Sequence, residues 1–182
     1  MVERLKEEYN ADVEWRPFYL RPDTPPEGAP LPEYILRARA NGSDERLKQI
    51  AGSYGMEFVS TQRMYNTRLA HEATEFAREQ GKGNEFHRIV FRKVYAEDGD
   101  PSAWEVLRAC AEEAGLDADA MQREVESGKF TELVAAQVQD AYQIGVQGVP
   151  TYVINDRYAV VGAQPYEAFT RMIQRLKSDG SL

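Results

Sequence analysis

The chain has 182 residues, 42% of them hydrophobic and 29% charged, a composition that supports a sizeable folded core and excludes a wholly disordered chain. Its formal net charge of −8 excludes an extended basic surface for nucleic acid or anionic membrane. A single cysteine excludes an intramolecular disulfide, a CxxC redox motif and a cysteine-rich zinc site.

The first predicted elements are a short helix and a strand. Apolar residues spaced by three and four predict a helix over Met1–Tyr9, which begins without a capping residue. Alternation in "DVEWRPF" predicts a strand over Asp12–Phe18, and Pro17 limits its length. The proline-dense "RPDTPPEGAPLP" that follows is typical of a surface loop.

The middle of the chain has the pattern of a helical block. Nearly every segment from Pro32 to Gly145 shows helical periodicity, and Ser43 and Asp117 are candidate N-caps of two of the helices. We expect a mainly helical subdomain whose interior includes Phe76, Phe86, Leu107 and Val134.

Two short strands and a helix complete the chain. Thr151–Ile154 and Tyr158–Val161 are rich in β-branched and aromatic residues, and the intervening "NDR" predicts a hairpin turn. Pro165 lies in the first turn of a closing amphipathic helix. Its apolar face carries Phe169, Ile173 and Leu176.

This order of elements is typical of an α/β, thioredoxin-like fold that is incomplete at the N-terminus and carries a large helical insertion. We assign residues 1–31 and 146–182 to the thioredoxin-like domain and residues 32–145 to the helical insertion subdomain. A complete βαβ unit would need a further strand and a whole crossover helix ahead of Asp12, about 30 residues or more in all.

Four segments carry a family resemblance: "VEWRPFYLRPDTPPEG" at 13–28, "NTRLAHEATEFAREQGKGNEFH" at 66–87, "EEAGLD" at 112–117 and "GVQGVPTYVINDRYAVVGAQP" at 145–165. The chain resembles DsbA-type thioredoxin-like oxidoreductases of the FrnE-like branch, relatives of 2-hydroxychromene-2-carboxylate isomerases and kappa-class glutathione transferases. In such proteins a valine and a cis-proline form the loop that faces the redox site, which corresponds here to Val149 and Pro150.

The resemblance implies a substrate-binding role for this loop. Proline cannot donate to a strand ladder, so Pro150 must stand at the entry of its strand, and an X-Pro bond adopts the cis form at little cost. We therefore expect Val149–Pro150 to be cis and Thr151–Ile154 to be a central strand. Val149 would be exposed at a cleft, with its backbone turned toward a bound chain or thiol ligand.

The chain also departs from the family pattern. The family carries a CxxC motif directly after its first strand, and the thiolate of this motif is the nucleophile. The 182 residues of this chain contain neither that strand nor the motif. Either the recorded chain begins downstream of its true start, with Met1 an internal methionine of the first helix, or it is a truncated paralogue. In both cases we expect no catalytic residue in these 182 residues and no redox activity.

The remaining candidate side chains have simpler structural interpretations. Cys110 shares an apolar helix face with Leu107, which predicts a buried thiol without a redox role. We expect His71, which lies off the apolar stripe of its helix, to be solvated, and His87 to pack beside Phe91 or cap locally. Neither histidine has carboxylates at the spacing of a metal site or an acid–base pair, so we expect no metal.

Two classes of function remain open. The first is a thiol-disulfide oxidoreductase or dithiol-disulfide isomerase of the DsbA family, an enzymatic assignment that rests on the resemblance. The second is a non-catalytic module that binds an extended peptide or glutathione, with a glutathione-dependent isomerase as a weaker third alternative.

The expected partner is a thiol- or disulfide-containing peptide or a small thiol, with no nucleic acid and no membrane, and glutathione is the one cofactor left open. Unpaired strand edges would also favour a homodimer. No apolar run of membrane-spanning length and no signal-like start is present, so we expect a cytoplasmic protein.

Overall fold

The computed structural model describes residues 2–180, so Met1, where the predicted first helix begins, and Ser181–Leu182 lie outside the described residues. The chain forms two compact units: one runs to Leu20 and resumes at Gln137, and the other is Arg21–Ala136. Among residues 2–180, no helix has the length and apolar character needed to cross a bilayer. The elements in chain order are α1 (Val2–Tyr9), β1 (Ala29–Pro30), α2 (Glu33–Ala40), α3 (Ser43–Ser53), β2 (Arg63–Met64), α4 (Arg68–Glu79), α5 (Gly83–Glu97), α6 (Trp104–Glu113), α7 (Ala118–Glu126), α8 (Thr131–Gln143), β3 (Thr151–Ile154), β4 (Tyr158–Val161) and α9 (Tyr166–Ser178).

The β3–β4 hairpin lies in the first unit. The two strands pair antiparallel, with Thr151 opposite Val161. Asn155 and Asp156 have positive φ values of 50° and 53°, and the N–H of Arg157 donates to the carbonyl of Ile154 at 3.1 Å. This is the geometry of a type I′ turn, which matches the right-handed twist of paired strands, so the predicted hairpin is confirmed.

One face of the hairpin forms the core of this unit together with α1 and α9. Phe169 is fully buried, and the ring of Tyr152 meets it edge-on at 4.8 Å between centroids. Leu5 of α1 and Val160 of β4 belong to the same cluster. The opposite face of the hairpin, which carries Val153 and Val161, is exposed. The predicted apolar face of α9 is confirmed, since α9 buries Phe169, Ile173 and Leu176.

Two expectations about strands are wrong. Asp12–Phe18 forms no strand, although its side chains alternate as predicted, with Val13 and Trp15 partly buried and Glu14 exposed. Thr151–Ile154 is not central, because within residues 2–180 it pairs only with β4. A strand is defined by ladder hydrogen bonds to a neighbour. Within residues 2–180 no segment pairs with Asp12–Phe18, and none adds a second neighbour to β3.

The second unit has a helical core built from α4 to α7 and the start of α8. The interior prediction is confirmed: Phe76, Phe86, Leu107 and Val134 are all at most 3% exposed. Phe130, which precedes α8, meets Phe76 edge-on at 6.4 Å. Small residues on α4, Ala70, Ala73 and Ala77, allow the neighbouring helices to approach closely.

The predicted helix caps have different outcomes. Asp117 is confirmed as the N-cap of α7, because its carboxylate accepts the N–H of Ala120 at 2.8 Å. Ser43 is not a cap: Gly42, with φ +79°, occupies that position, and the Ser43 hydroxyl donates to Asp44 at 3.3 Å. Only two residues separate α2 from α3, and such a tight reversal requires the left-handed backbone that glycine adopts without strain.

Helix α4 also buries two carboxylates that the sequence analysis did not single out. Glu72 is 1% exposed, and its oxygens accept Arg68 Nη1 at 2.9 and 3.0 Å and the hydroxyl of Thr131 at 3.1 Å. Glu75 is 4% exposed and lies 3.4 Å from Arg78. The spacing of three and four residues between acid and base was the available signal, and it places each cation beside its buried anion.

We predict that Arg68→Ala lowers the free energy of unfolding by about 2 kcal/mol, because it leaves a buried carboxylate with one donor fewer. Arg175→Ala is the matched control, since Arg175 pairs with Asp179 at the same spacing but both side chains are at least 57% exposed. That control should cost less than about 0.5 kcal/mol. Urea denaturation of both variants provides the measurement, and equal losses would contradict the prediction.

Candidate functional site

The candidate site is the loop that leads from α8 into β3. Helix α8 ends at Gln143, and Gly145, with φ +83°, reverses the chain. The N–H of Val146 then donates to the carbonyl of Ala141 at 2.9 Å, which is the six-to-one hydrogen bond of a Schellman motif. The loop therefore starts from a fixed helix end.

Hydrogen bonds hold the loop around Pro150 on both sides. The Val149–Pro150 peptide bond is cis. The carbonyl of Pro150 accepts the N–H of Gly162 at 2.8 Å, and the hydroxyl of Thr151 donates to the carbonyl of Gly148 at 2.7 Å. These bonds connect the loop to the end of β4 and to its own preceding turn, so Val149 is presented from a defined backbone.

The loop offers backbone groups and an apolar side chain. Val149 is 54% exposed, and within residues 2–180 its N–H and carbonyl form no hydrogen bond. Pro150 is exposed beside it. The edge of β3 that faces away from β4 pairs with no strand in the described part of the chain. An open strand edge that continues into exposed backbone can accept an added extended chain.

The thiol of Cys110 belongs to the other unit. Cys110 is fully buried in the helical core, as predicted, and burial raises its pKa to about 11. At neutral pH the side chain is therefore an uncharged thiol, whereas thiol–disulfide exchange requires a thiolate. Among the described residues, no group of three or more histidine, cysteine or acidic side chains could hold a metal ion.

The expectation that His71 is solvated is wrong. His71 is only partly exposed, its Nε2 lies 3.3 Å from the hydroxyl of Thr67, and burial together with nearby His87 lowers its pKa to about 4. The reason is that α4 is buried over an arc wider than its apolar stripe. His87 stacks on Phe91 at 4.3 Å between centroids, as expected, and burial and Arg78 lower its pKa to about 4.

A family model and a bacterial relative each match most of the chain. Residues 1–174 match the family model of the DSBA-like thioredoxin domain. The uncharacterized protein YwbO of Bacillus subtilis (strain 168) is 28% identical over 169 residues, which cover 90% of this chain and 82% of YwbO.

Two solved structures are similar over most of the chain. One is the crystal structure of the probable DsbA oxidoreductase SCO1869 from Streptomyces coelicolor, with a TM-score of 0.75 and 25% identity over 90% of this chain and 74% of that one. The other is a 2-hydroxychromene-2-carboxylate isomerase, with a TM-score of 0.72 over 100% of this chain and 90% of that one. Its 21% identity makes this a likeness of fold alone.

We predict that the two histidines make the protein less stable in mild acid. Their folded-state pKa values, about 4, lie below the ordinary value of 6.5, so the unfolded chain binds more protons between these limits. Their contribution to stability is complete above pH 6.5 and is lost as the pH falls toward 4. Between pH 7 and 5.5 each histidine should lower the free energy of unfolding by about 1 kcal/mol.

The measurement is urea unfolding of the wild type and of His71→Gln/His87→Gln at both pH values. Most carboxylates are ionised in this range, so the double variant should lose most of the pH dependence. An unchanged pH dependence in the double variant would show that other groups cause it.

Proposed function

Because this chain belongs to the DSBA-like thioredoxin domain family, we propose that it performs the substrate-binding part of a thiol-disulfide oxidoreductase or dithiol-disulfide isomerase, without the redox step. Its fold is the thioredoxin-like fold of DsbA proteins, with mostly helical content. The observation that carries the proposal is the exposed Val149 backbone beside the open edge of β3. The ligand is an extended thiol- or disulfide-containing peptide or a small thiol such as glutathione, and the location is cytoplasmic.

Strand addition supplies the binding energy in this proposal. An extended peptide beside β3 satisfies backbone groups that otherwise bond to water, and each such hydrogen bond contributes about 0.5–1.5 kcal/mol. Side chains of an added strand alternate between the two faces of the sheet, so every second one lies on the exposed face that carries Val153. Backbone pairing gives affinity for many sequences, and this apolar face gives a preference for apolar ones.

The redox step needs groups that these residues do not supply. In exchange, a thiolate attacks one sulfur of a disulfide, the other sulfur leaves as a thiolate, and a second thiol resolves the mixed disulfide. The chain has one cysteine, and its thiol is buried with its pKa raised to about 11. A single protonated and inaccessible thiol can neither attack nor resolve.

We expect this 182-residue chain to leave dithiothreitol-driven insulin reduction at the uncatalysed rate, followed as turbidity. Cys110→Ala should have the same rate, because Cys110 contributes packing and not chemistry. The substitution should cost about 1 kcal/mol of stability from the lost packing. Turnover above background that disappears in Cys110→Ala would overturn the assignment of Cys110 to the core.

Binding is tested with glutathione and with a fluorescent extended peptide that contains one cysteine. Val149→Pro removes the backbone N–H, and we expect it to weaken peptide binding about threefold to tenfold, the value of one hydrogen bond. Val149→Ala is the matched control, because it trims the exposed side chain and keeps the backbone donor. Fluorescence anisotropy gives the dissociation constant of the peptide for each variant, and that of glutathione by competition with the peptide. Equal weakening of peptide binding in the two variants would contradict a backbone-mediated site.

A further inference from the structure

Residues 31–62 form an excursion from the second unit that we call the arm. The antiparallel pair β1–β2 closes its base, with Ala29 opposite Met64 and Pro30 opposite Arg63. Gly28, with φ +76°, permits this closure, since a Cβ there would lie 2.5 Å from the carbonyl oxygen of Met64. The arm contains α2 and α3, and neither helix has a single buried residue.

The arm nevertheless carries many large apolar side chains. Isolated exposed hydrophobic residues are normal on protein surfaces, but Leu47, Ile50 and Tyr54 recur at spacings of three and four. They therefore lie on one side of α3 and its C-terminal cap, and such a group marks an interaction surface. Helices of 8 and 11 residues are also shorter than the roughly 12–15 residues at which an isolated helix is even marginally stable. The six largest exposures, each at least 45%, are at Tyr34, Leu36, Leu47, Ile50, Tyr54 and Met56.

The charges of the arm distinguish it from the rest of the chain. Residues 31–62 contain four acidic and four basic side chains, so the whole net charge of −8 lies outside the arm. Within it, Arg37 pairs with Glu33 at 2.6 Å and Arg39 pairs with Asp44 at 3.2 Å. Two copies of this acidic chain repel each other in general, and this repulsion is weakest where two arms face each other.

We propose that the arm is the interface of a homodimer, in which the arm of a second copy packs on it about a two-fold axis. Such an isologous contact requires a surface that can pack on itself, and the arm meets two of the conditions: its exposed side chains are apolar and its charges are balanced internally. Burying the six exposed side chains removes on the order of several hundred Å² per copy, the same scale as the ~800 Å² that each partner contributes to a standard interface.

This interface is distinct from the open edge of β3. That edge is the other expected site of dimerisation, because unpaired strand edges tend to associate. The two surfaces can be tested separately, because Val161 of β4 lies on the exposed face of the hairpin, opposite Thr151 of β3, and is as exposed, at 62%, as the apolar residues of the arm. A charge introduced at Val161 disturbs an association of sheets and leaves an association of arms intact.

The experiment is sedimentation equilibrium of the full chain, with far-UV circular dichroism to verify folding. We expect the wild type to have twice its mass of 20.7 kDa. Leu36→Asp and Ile50→Asp should each weaken association at least tenfold while remaining folded, because neither residue belongs to the core. The control Val161→Asp should remain dimeric.

Three results would overturn the proposal. A wild type that is monomeric up to about 100 μM means that a different partner covers the arm, or none does. A dimer that dissociates in Val161→Asp but not in Ile50→Asp uses the hairpin instead. A dimer that persists in all three variants uses a surface outside both. None of these outcomes depends on ligand binding at Val149, so this test and that of the proposed function fail independently.

Discussion

The burial of α4 on a wide arc is the constraint on which the helical unit depends. This helix packs against α5, α6 and α7, and its alanines let these neighbours approach closely. A helix enclosed in this way cannot turn every polar residue to water, so Glu72 and Glu75 lie in the core and each keeps an arginine within reach. The low dielectric that makes those pairs necessary also lowers the pKa of His71.

A different constraint governs the hairpin unit. Pro150, directly before the first residue of β3, determines which backbone groups of the loop remain unpaired. Pro150 has no N–H to contribute, so the ladder begins after it, and its carbonyl is already bonded to Gly162. The unused backbone groups are therefore those of Val149, one residue earlier. A recognition surface thus arises from the end of a ladder, without any reactive side chain.

The sequence predicted what depends on local chemistry and missed what depends on neighbours distant in the chain. The turn at Asn155 and the cap at Asp117 follow from side chains and backbone preferences within a few residues, and apolar periodicity was enough to find Phe86 in the core. The strand at Asp12–Phe18 fails because pairing needs a partner that local pattern does not reveal. His71 fails for the same reason, since a stripe of apolar residues does not report how many helices surround it.

Recognition and thiol chemistry make separate physical demands, and this chain meets them unequally. Recognition by strand addition needs only fixed, unpaired backbone, which the loop at Val149 supplies. Exchange needs an accessible thiol with a lowered pKa, whereas Cys110 is enclosed by apolar helices that raise its pKa. The two residues lie in different units, so a change at Cys110 acts on the stability of the helical core while a change at Val149 acts on ligand affinity. Effects of this kind add when the sites share no partners, which makes each assignment separable from the other.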